Sequence, residues 1–400
     1  MYKRQALTYD NRASLTPGVV AELFGPRLKG SATRLGTFAA CPYKHFARYT
    51  LELKPRREFK LEPLDLGRFY HEVLDALHKR LAADGQNFAT VADERLMELL
   101  REEIADLTAG NTFMAHFIAR SDHNAFVISS AAEVLEDCVR EIAQMVRAGA
   151  FRPVVSEVGF GDVREAEQNL GTFELALPGG RVLVVNGKID RLDVAEIGGK
   201  KAALIFDYKR TRSAAHFDWP KLYHGLDMQL PLYVLAVCDA GASYADRAVG
   251  AFCMPIEHSP ESVSFEGLAK QADRFGRKAN GFFDGEYSQQ LDPQAGAYWS
   301  QFYNFTVTKG DVQYGRYATS GALRPGDFKA VLQYVRDKVT ALAGEMVAGR
   351  VDVHPYRLAR QAACAHCDYR AVCRFDWQVN EYRILESKGK LDVVGEGLRQ

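Results

Sequence analysis

The stretch Gly187–Lys209 reads GKIDRLDVAEIGGKKAALIFDYK, and it decides the fold. Its apolar runs read as strands. Strands are expected at 154–160, 172–177, 181–194, 202–208 and 247–256. The second half of the quoted stretch ends in Asp207-x-Lys209. Side chains two apart on a strand share a face, so the carboxylate and the ammonium point the same way. Asp190 closes the apolar run of the first half. A helix expected over 222–240 carries Gln229 and Tyr233, four apart and so on one face. Upstream, Leu66, Phe69, Tyr70, Val73, Leu74, Leu77 and Leu81 give helical spacing over 65–83, and His71 lies within it. Helices are also expected at 33–50, with Ser31 or Thr33 as cap, and at 91–108, 122–148 and 327–348. Strands alternating with helices define an α/β class.

His71, Asp190, Asp207 and Lys209 are the residue types that phosphodiester hydrolysis needs. A divalent cation neutralises phosphate charge and activates water. Mg²⁺ prefers oxygen donors, which Asp190 and Asp207 supply, while an imidazole from His71 would shift preference toward Mn²⁺. Lys209 beside that metal can orient the water and stabilise charge in the transition state. Asp193 reads as a turn or salt-bridge residue. Glu157 reads either as a strand charge facing solvent or as a carboxylate behind the metal ligands.

A second constellation spans the chain. Cys41 stands alone near the start, and Cys364, Cys367 and Cys373 follow C-x2-C-x5-C spacing near the end. Four such thiols suit a tetrahedral-thiolate centre, either an iron–sulfur cluster or zinc. Cys138, Cys238 and Cys253 lie on apolar segments and read as buried thiols. An odd count of seven cysteines disfavours a disulfide framework and fits a cytosolic, cytoplasmic protein with ligated metal.

The 400 residues suggest two or three domains, or one large domain with insertions, and 47% apolar content is ample for a core. The net charge of zero excludes a globally basic nucleic-acid binder. No apolar run is long enough to span a membrane, and no secretory signal is visible. No GxxxxGK[ST] phosphate loop occurs, so this chain alone is not expected to hydrolyse ATP. Met1-Tyr2-Lys3-Arg4-Gln5 is the translation of a transposon end used in sequencing libraries. Residues 1–5 are therefore expected to be an assembly scar on a gene that extends upstream.

The ordered set H, D, D-x-K and Q-x3-Y resembles the RecB-like branch of the PD-(D/E)xK nucleases. Thr33–Phe46, TRLGTFAACPYKHF, resembles the start of the nuclease domain in AddB-type subunits of helicase–nucleases, and Ala363–Asp376, ACAHCDYRAVCRFD, resembles its end. The likeness covers about 31 to 376. It implies a restriction-endonuclease-like core, a mixed central sheet flanked by helices, with helical insertions and an iron–sulfur clamp joining both ends. It implies an active site of His71, Asp190, Asp207 and Lys209 supported by Gln229 and Tyr233, with Mg²⁺ (Mn²⁺ possible) held by His71, Asp190 and Asp207. It also implies a [4Fe–4S] cluster on Cys41, Cys364, Cys367 and Cys373. DNA as substrate and an AddA-like helicase partner follow, in exonucleolytic processing of broken DNA for recombinational repair. The helicase-like region that precedes this domain in the family is missing here.

The expected division is a lead-in at 6–30, clamp halves at 31–60 and 351–385, and a helical region at 61–150. A nuclease core at 151–257, a helical and irregular insertion at 258–350 and a tail at 386–400 complete it. Lys44, Arg48, Lys54, Arg56, Arg57 and Lys60, interleaved with Tyr43, Phe46 and Tyr49, read either as a DNA path or as a solvated helix face over an aromatic stripe. Two other readings compete. One is a DNA-binding scaffold with a degenerate nuclease fold, and the other is a zinc-stapled interaction module.

Overall fold

The computed structural model describes residues 13–54, 63–163, 166–258, 275–296, 299–378 and 380–398. The N-terminal pentapeptide and Arg56, Arg57 and Lys60 of the basic set lie outside the described residues. A six-stranded mixed sheet forms the centre. Its order is β11 (Ala322–Leu323), β8 (Asn280–Asp284), β7 (Arg247–Pro255), β6 (Lys200–Lys209), β5 (Gly187–Ile197) and β2 (Arg152–Phe160). Gly198 and Gly199 join β5 to β6 as a two-residue hairpin, Ile197 pairing with Lys200. Both glycines have positive φ, 59° and 73°, as a type I′ turn demands. β6 and β7 run parallel, so the chain crosses back between them. The crossover includes helix α8 (Gln229–Ala240), which packs on the sheet.

The sheet separates two apolar layers. On β6, Ala203 and Ile205 meet Leu232 of α8 and Val331 and Val335 of α9 (Pro325–Val347). Leu204 and Phe206 face the other way, toward Leu77, Leu100 and Leu135. Those side chains belong to α4 (Pro63–Ala83), α5 (Asp93–Gly110) and α7 (Asp122–Ala148). β6 is buried on both faces from Ala202 to Tyr208, which is why it reads as one continuous apolar run. Among the described residues, no helix is long and apolar enough to cross a membrane.

Several sequence expectations change on contact with the fold. The helix expected over 33–50 is two helices, α2 (Ala32–Ala40) and α3 (Pro42–Tyr49), with Ser31 capping the first. Cys41 is the break, at φ −166° and ψ 118°, because the residue before a proline is pushed out of the helical region. The 181–194 strand is also two pieces in different sheets. β4 (Val182–Val185) lies between β1 (Arg27–Gly30) and β3 (Glu174–Ala176), and β5 begins at Gly187. The Phe160 ring covers Gly187, where any Cβ would come within 2.3 Å of it.

The lead-in contains α1 (Pro17–Phe24) as well as β1, and α6 (Thr112–Ala119) was not foreseen. The 222–240 helix is a short helix, Trp219–Tyr223, followed by α8 after a turn with Gly225 at φ 71°. Most consequential is 258–350. β8 and β11 come from it and extend the central sheet, so the sheet does not end at residue 257. Both strands are too short to show a period in a Gly- and aromatic-rich stretch. Residues 259–274 lie outside the described residues.

The two ends of the described chain meet. Leu15 N donates to Gly349 O at 2.8 Å and Tyr43 N to Asp352 O at 3.1 Å. Tyr369 Oη donates to Leu53 O at 3.1 Å, and Arg383 donates to Ala39 O. The helix α10 (Lys390–Leu398) packs along α9. Lys390, 1% exposed, places its ammonium on the carbonyls of Tyr317, Ser320 and Ala322.

Candidate active site

Adjacent strands β2, β5 and β6 deliver carboxylates to one end of the sheet, and α4 and α8 approach it from opposite faces. Asp207 is 2% exposed near the end of β6. Its Oδ2 lies 2.6 Å from Lys209 Nζ, and its Oδ1 accepts from Gln229 Nε2 at 2.7 Å. Lys209 Nζ also donates to Gln229 Oε1 at 2.9 Å, and Gln229 Nε2 lies 2.7 Å from Tyr233 Oη. The Gln229 amide thus clamps both ends of the D-x-K pair, and Tyr233 backs it one helical turn on. This requires Asp207 and Lys209 to share a face, as the strand period dictates.

Asp190 stands one strand away. Its Oδ2 accepts from Tyr208 N at 2.6 Å, and its Oδ1 lies 3.4 Å from His71 Nδ1. The same nitrogen is 3.6 Å from Glu157 Oε1, while His71 Nε2 is 3.1 Å from Tyr208 O. Among the described residues, donor atoms of His71, Glu157 and Asp190 form a group lying within 4.8 Å of one another. Glu157 is the residue that sequence reasoning left open. Ser156 pairs with Arg191 and Val158 with Ile189, so Glu157 falls opposite Asp190. A carboxylate in that register was the available signal. What the sequence could not show is its φ of +50°, the left-handed region, in mid-strand. Such backbone costs about 1–3 kcal/mol and gathers at functional sites.

Charges in the centre are strongly coupled. Burial works against the charge of His71, yet the Asp190 and Glu157 carboxylates outweigh it and raise the imidazole to about 11. Burial, reinforced by Asp190, pushes the Asp207 carboxyl up to about 6. Burial opposes the Lys209 ammonium as well, but Asp207 holds its proton and raises it. The His71 ring therefore stands beside two carboxylates that favour positive charge at this place. The donor set fits a hard divalent ion, with two carboxylates and one imidazole. Asp207, by contrast, has its oxygens engaged by Lys209 and Gln229, and it joins this set through its electrostatic coupling to Asp190.

Asp193 is a salt-bridge residue. It receives both Arg191 Nε, at 2.8 Å, and Nη2, at 3.0 Å, with both side chains 2% exposed. Two further neighbours were not foreseen. Cys253 Sγ lies 3.8 Å from Asp207 Oδ2, and the Ser156 hydroxyl bridges Asp75 at 2.6 Å and His78 at 3.1 Å beneath the His71 group. Cys138 and Cys253 are buried as expected, but Cys238, near the end of α8, is exposed, its Sγ 4.0 Å from Ala248 O.

The four remaining cysteines approach one another where the ends of the chain meet. Cys41 is 6% exposed and neighbours Cys364, which neighbours Cys367 and Cys373. Burial raises the Cys41 thiol to about 11, against backbone N–H groups of Lys44, His354 and Tyr43 that point at its sulfur. N–H groups aimed at sulfur are a feature of ligated thiolates. No three of these thiols lie within 4.8 Å of one another among the described residues. A single zinc ion with 2.3 Å bonds would hold its sulfurs about 3.8 Å apart.

A mixed sheet that presents Asp190 and the Asp207-x-Lys209 pair at one end, with a helical glutamine clamped on Asp207 and Lys209, is the centre of a nuclease fold. The chain belongs to the PD-(D/E)XK nuclease superfamily, whose profile matches residues 29–374. It is 27% identical over 396 residues to an ATP-dependent helicase/deoxyribonuclease subunit of Oceanobacillus iheyensis, covering 95% of this chain and 33% of that protein. Identity to the subunit of the same name from Symbiobacterium thermophilum is 30% over 384 residues, covering 93% of this chain and 32% of that protein. The chain spans about a third of the length of these curated relatives.

Proposed function

We propose that this chain is the nuclease part of an AddB-like helicase–nuclease subunit and hydrolyses DNA phosphodiester bonds. The observation that carries the reading is the Gln229 clamp on Asp207 and Lys209 beside the His71, Glu157 and Asp190 donors. Asp190, Glu157 and His71, with Asp207 adjacent, would hold Mg²⁺, and Mn²⁺ would be accepted through the imidazole. A bound cation supplies charge neutralisation and an activated water. Lys209 is placed to orient that water and to meet charge growing on the phosphate, while Gln229 and Tyr233 hold Lys209 and Asp207 in position.

Cys41, Cys364, Cys367 and Cys373 would hold a [4Fe–4S] cluster that clamps residues 31–60 to 351–385. The C-x2-C-x5-C spacing with one distant cysteine supports this reading, and the backbone N–H groups aimed at the Cys41 sulfur fit a ligated thiolate. The substrate would be a DNA strand fed by an AddA-like partner in the cytoplasm, cut exonucleolytically during break processing.

The test is cleavage of labelled single-stranded DNA in Mg²⁺ by wild type and by Asp207→Ala. Cutting that needs both the metal and Asp207 supports the reading. DNA binding with no metal-dependent cutting by wild type would favour a scaffold instead.

A further inference from the structure

Two open grooves flank the line of site residues, one at each end. The first, of about 290 Å³, runs between α2 and the turn before α8. Thr33, Gly36, Thr37, Lys44, Asp227 and Gln229 line it. Its inner end is therefore Gln229, the residue that clamps Asp207 and Lys209. The second, of about 300 Å³, begins at Glu157 on the far side of the site.

Charge separates the two. The lysines of the second groove are already paired. Lys79 Nζ lies 3.1 Å from Asp75 and 2.7 Å from Glu167, and Lys188 pairs with Glu157. Its lining therefore offers a polyanion no uncommitted cation and an excess of carboxylates. In the first groove the only carboxylate, Asp227, accepts from Gln229 N at 3.3 Å. Lys44 is half-buried there, and its ammonium makes no hydrogen bond or ion pair among the described residues. An ammonium with no protein partner in the groove is free to meet an anion there.

We infer that the groove between α2 and α8 seats the DNA strand next to the scissile phosphate, with Lys44 contacting a backbone phosphate there. This rests on the nuclease reading and adds to it the side from which the strand approaches. Lys44 is a positioning residue: the contact carries no base information, so it acts on affinity and register uniformly across sequences.

The test is salt-dependent binding of a fluorescein-labelled oligothymidylate, with Ca²⁺ in place of Mg²⁺ to suspend cutting. Each lost single-strand phosphate contact lowers the slope of log K against log salt by about 0.7. Lys44→Gln should weaken binding and lower the slope by that amount, and Lys44→Arg should restore both. Thr33 is exposed on the groove wall, away from the cysteines, so its variants remain informative if Lys44 variants lose stability. Thr33→Lys should tighten binding and raise the slope, and Thr33→Glu should do the reverse. Lys79→Gln should leave the slope unchanged. Wild-type slopes in both the Lys44→Gln and the Thr33 variants would overturn the inference, while Asp207-dependent cutting would leave the nuclease reading standing. A wild-type chain that fails to bind single strands would overturn both.

Discussion

The candidate active site and the cysteine junction both gather residues from distant parts of the chain, but by different means. The centre draws on long elements: β2, β5 and β6 of 9, 11 and 10 residues, and helices α4 and α8. Asp207, Lys209 and Gln229 close a ring of hydrogen bonds, and Asp190 is seated on a backbone N–H. Sheet and helix packing place these groups before any metal arrives. The junction is built from short pieces: β12 (Tyr356–Leu358) and β14 (Arg383–Leu385), of 3 residues each, β13 (Gln361–Ala362), of 2, and the four-residue helix Arg370–Cys373. Its three C-terminal thiols are half-buried. Short elements bury little apolar surface, so under the proposed four-thiol centre this region would depend on the bound group.

The largest effect should therefore come from the junction. Closing the chain from Cys41 to Cys364 costs roughly 5 kcal/mol in loop entropy, and a thiolate centre can supply on the order of 10 kcal/mol. Serine at Cys41, Cys364, Cys367 or Cys373 should abolish bound iron and lower stability by several kcal/mol. Serine at Cys138, Cys238 or Cys253 should keep full metal content. Iron and zinc analysis with melting curves across the seven variants decides it. Equal iron in Cys41→Ser and wild type would end the four-thiol assignment.

Next come Asp207→Ala and Lys209→Ala. Because the sheet carries the centre, each should lower cleavage by about a hundredfold or more while melting close to wild type. A large loss of stability instead of activity would erase the contrast between the two regions.

A smaller effect is expected beneath the site. Burial, with Arg191 nearby, lowers the His78 imidazole from 6.5 to about 4. The unfolded chain then takes up a proton that the folded chain refuses, so this group's contribution is fully present above pH 6.5 and is lost as pH falls toward 4. The loss is up to about 3 kcal/mol. His78→Asn should flatten that limb of the stability–pH curve, and an unchanged limb would show that His78 is not the group responsible.

The smallest expected change is at Glu157→Gln, which keeps size and hydrogen bonding but removes one ligand charge. A loss of about 10–100-fold in metal affinity is expected, read by calorimetry with Mn²⁺. Wild-type affinity would return Glu157 to a solvent-facing strand charge.

Much of the molecule was written in local pattern. The helices 65–83, 91–108, 122–148 and 327–348 and the strands 154–160, 202–208 and 247–256 recur with small shifts at their ends. Asp190, Asp207, Lys209, Gln229 and Tyr233 were legible because strand and helix periods put them on known faces, and the structure brings them together. Asp193 read as a turn or salt-bridge residue, and the structure selects the salt bridge, with Arg191 two positions away on the same strand face.

Tertiary structure alone decided the rest. A positive φ at Glu157, opposite Asp190, turns a strand charge into a third donor beside His71, and no periodicity encodes a single left-handed residue. One apolar run divides between two sheets, and the second piece begins at Gly187 under the Phe160 ring. β8 and β11 are too short to carry a period and owe their place to neighbouring strands. Whether Lys44 meets solvent or a groove depends on how closely α2 approaches the turn at Leu226, where a Cβ on Gly36 would come within 2.5 Å of a carbonyl. Residue types and their spacing are local properties of the chain. Which charges stay unpaired depends on contacts between segments hundreds of positions apart, and only packing sets those.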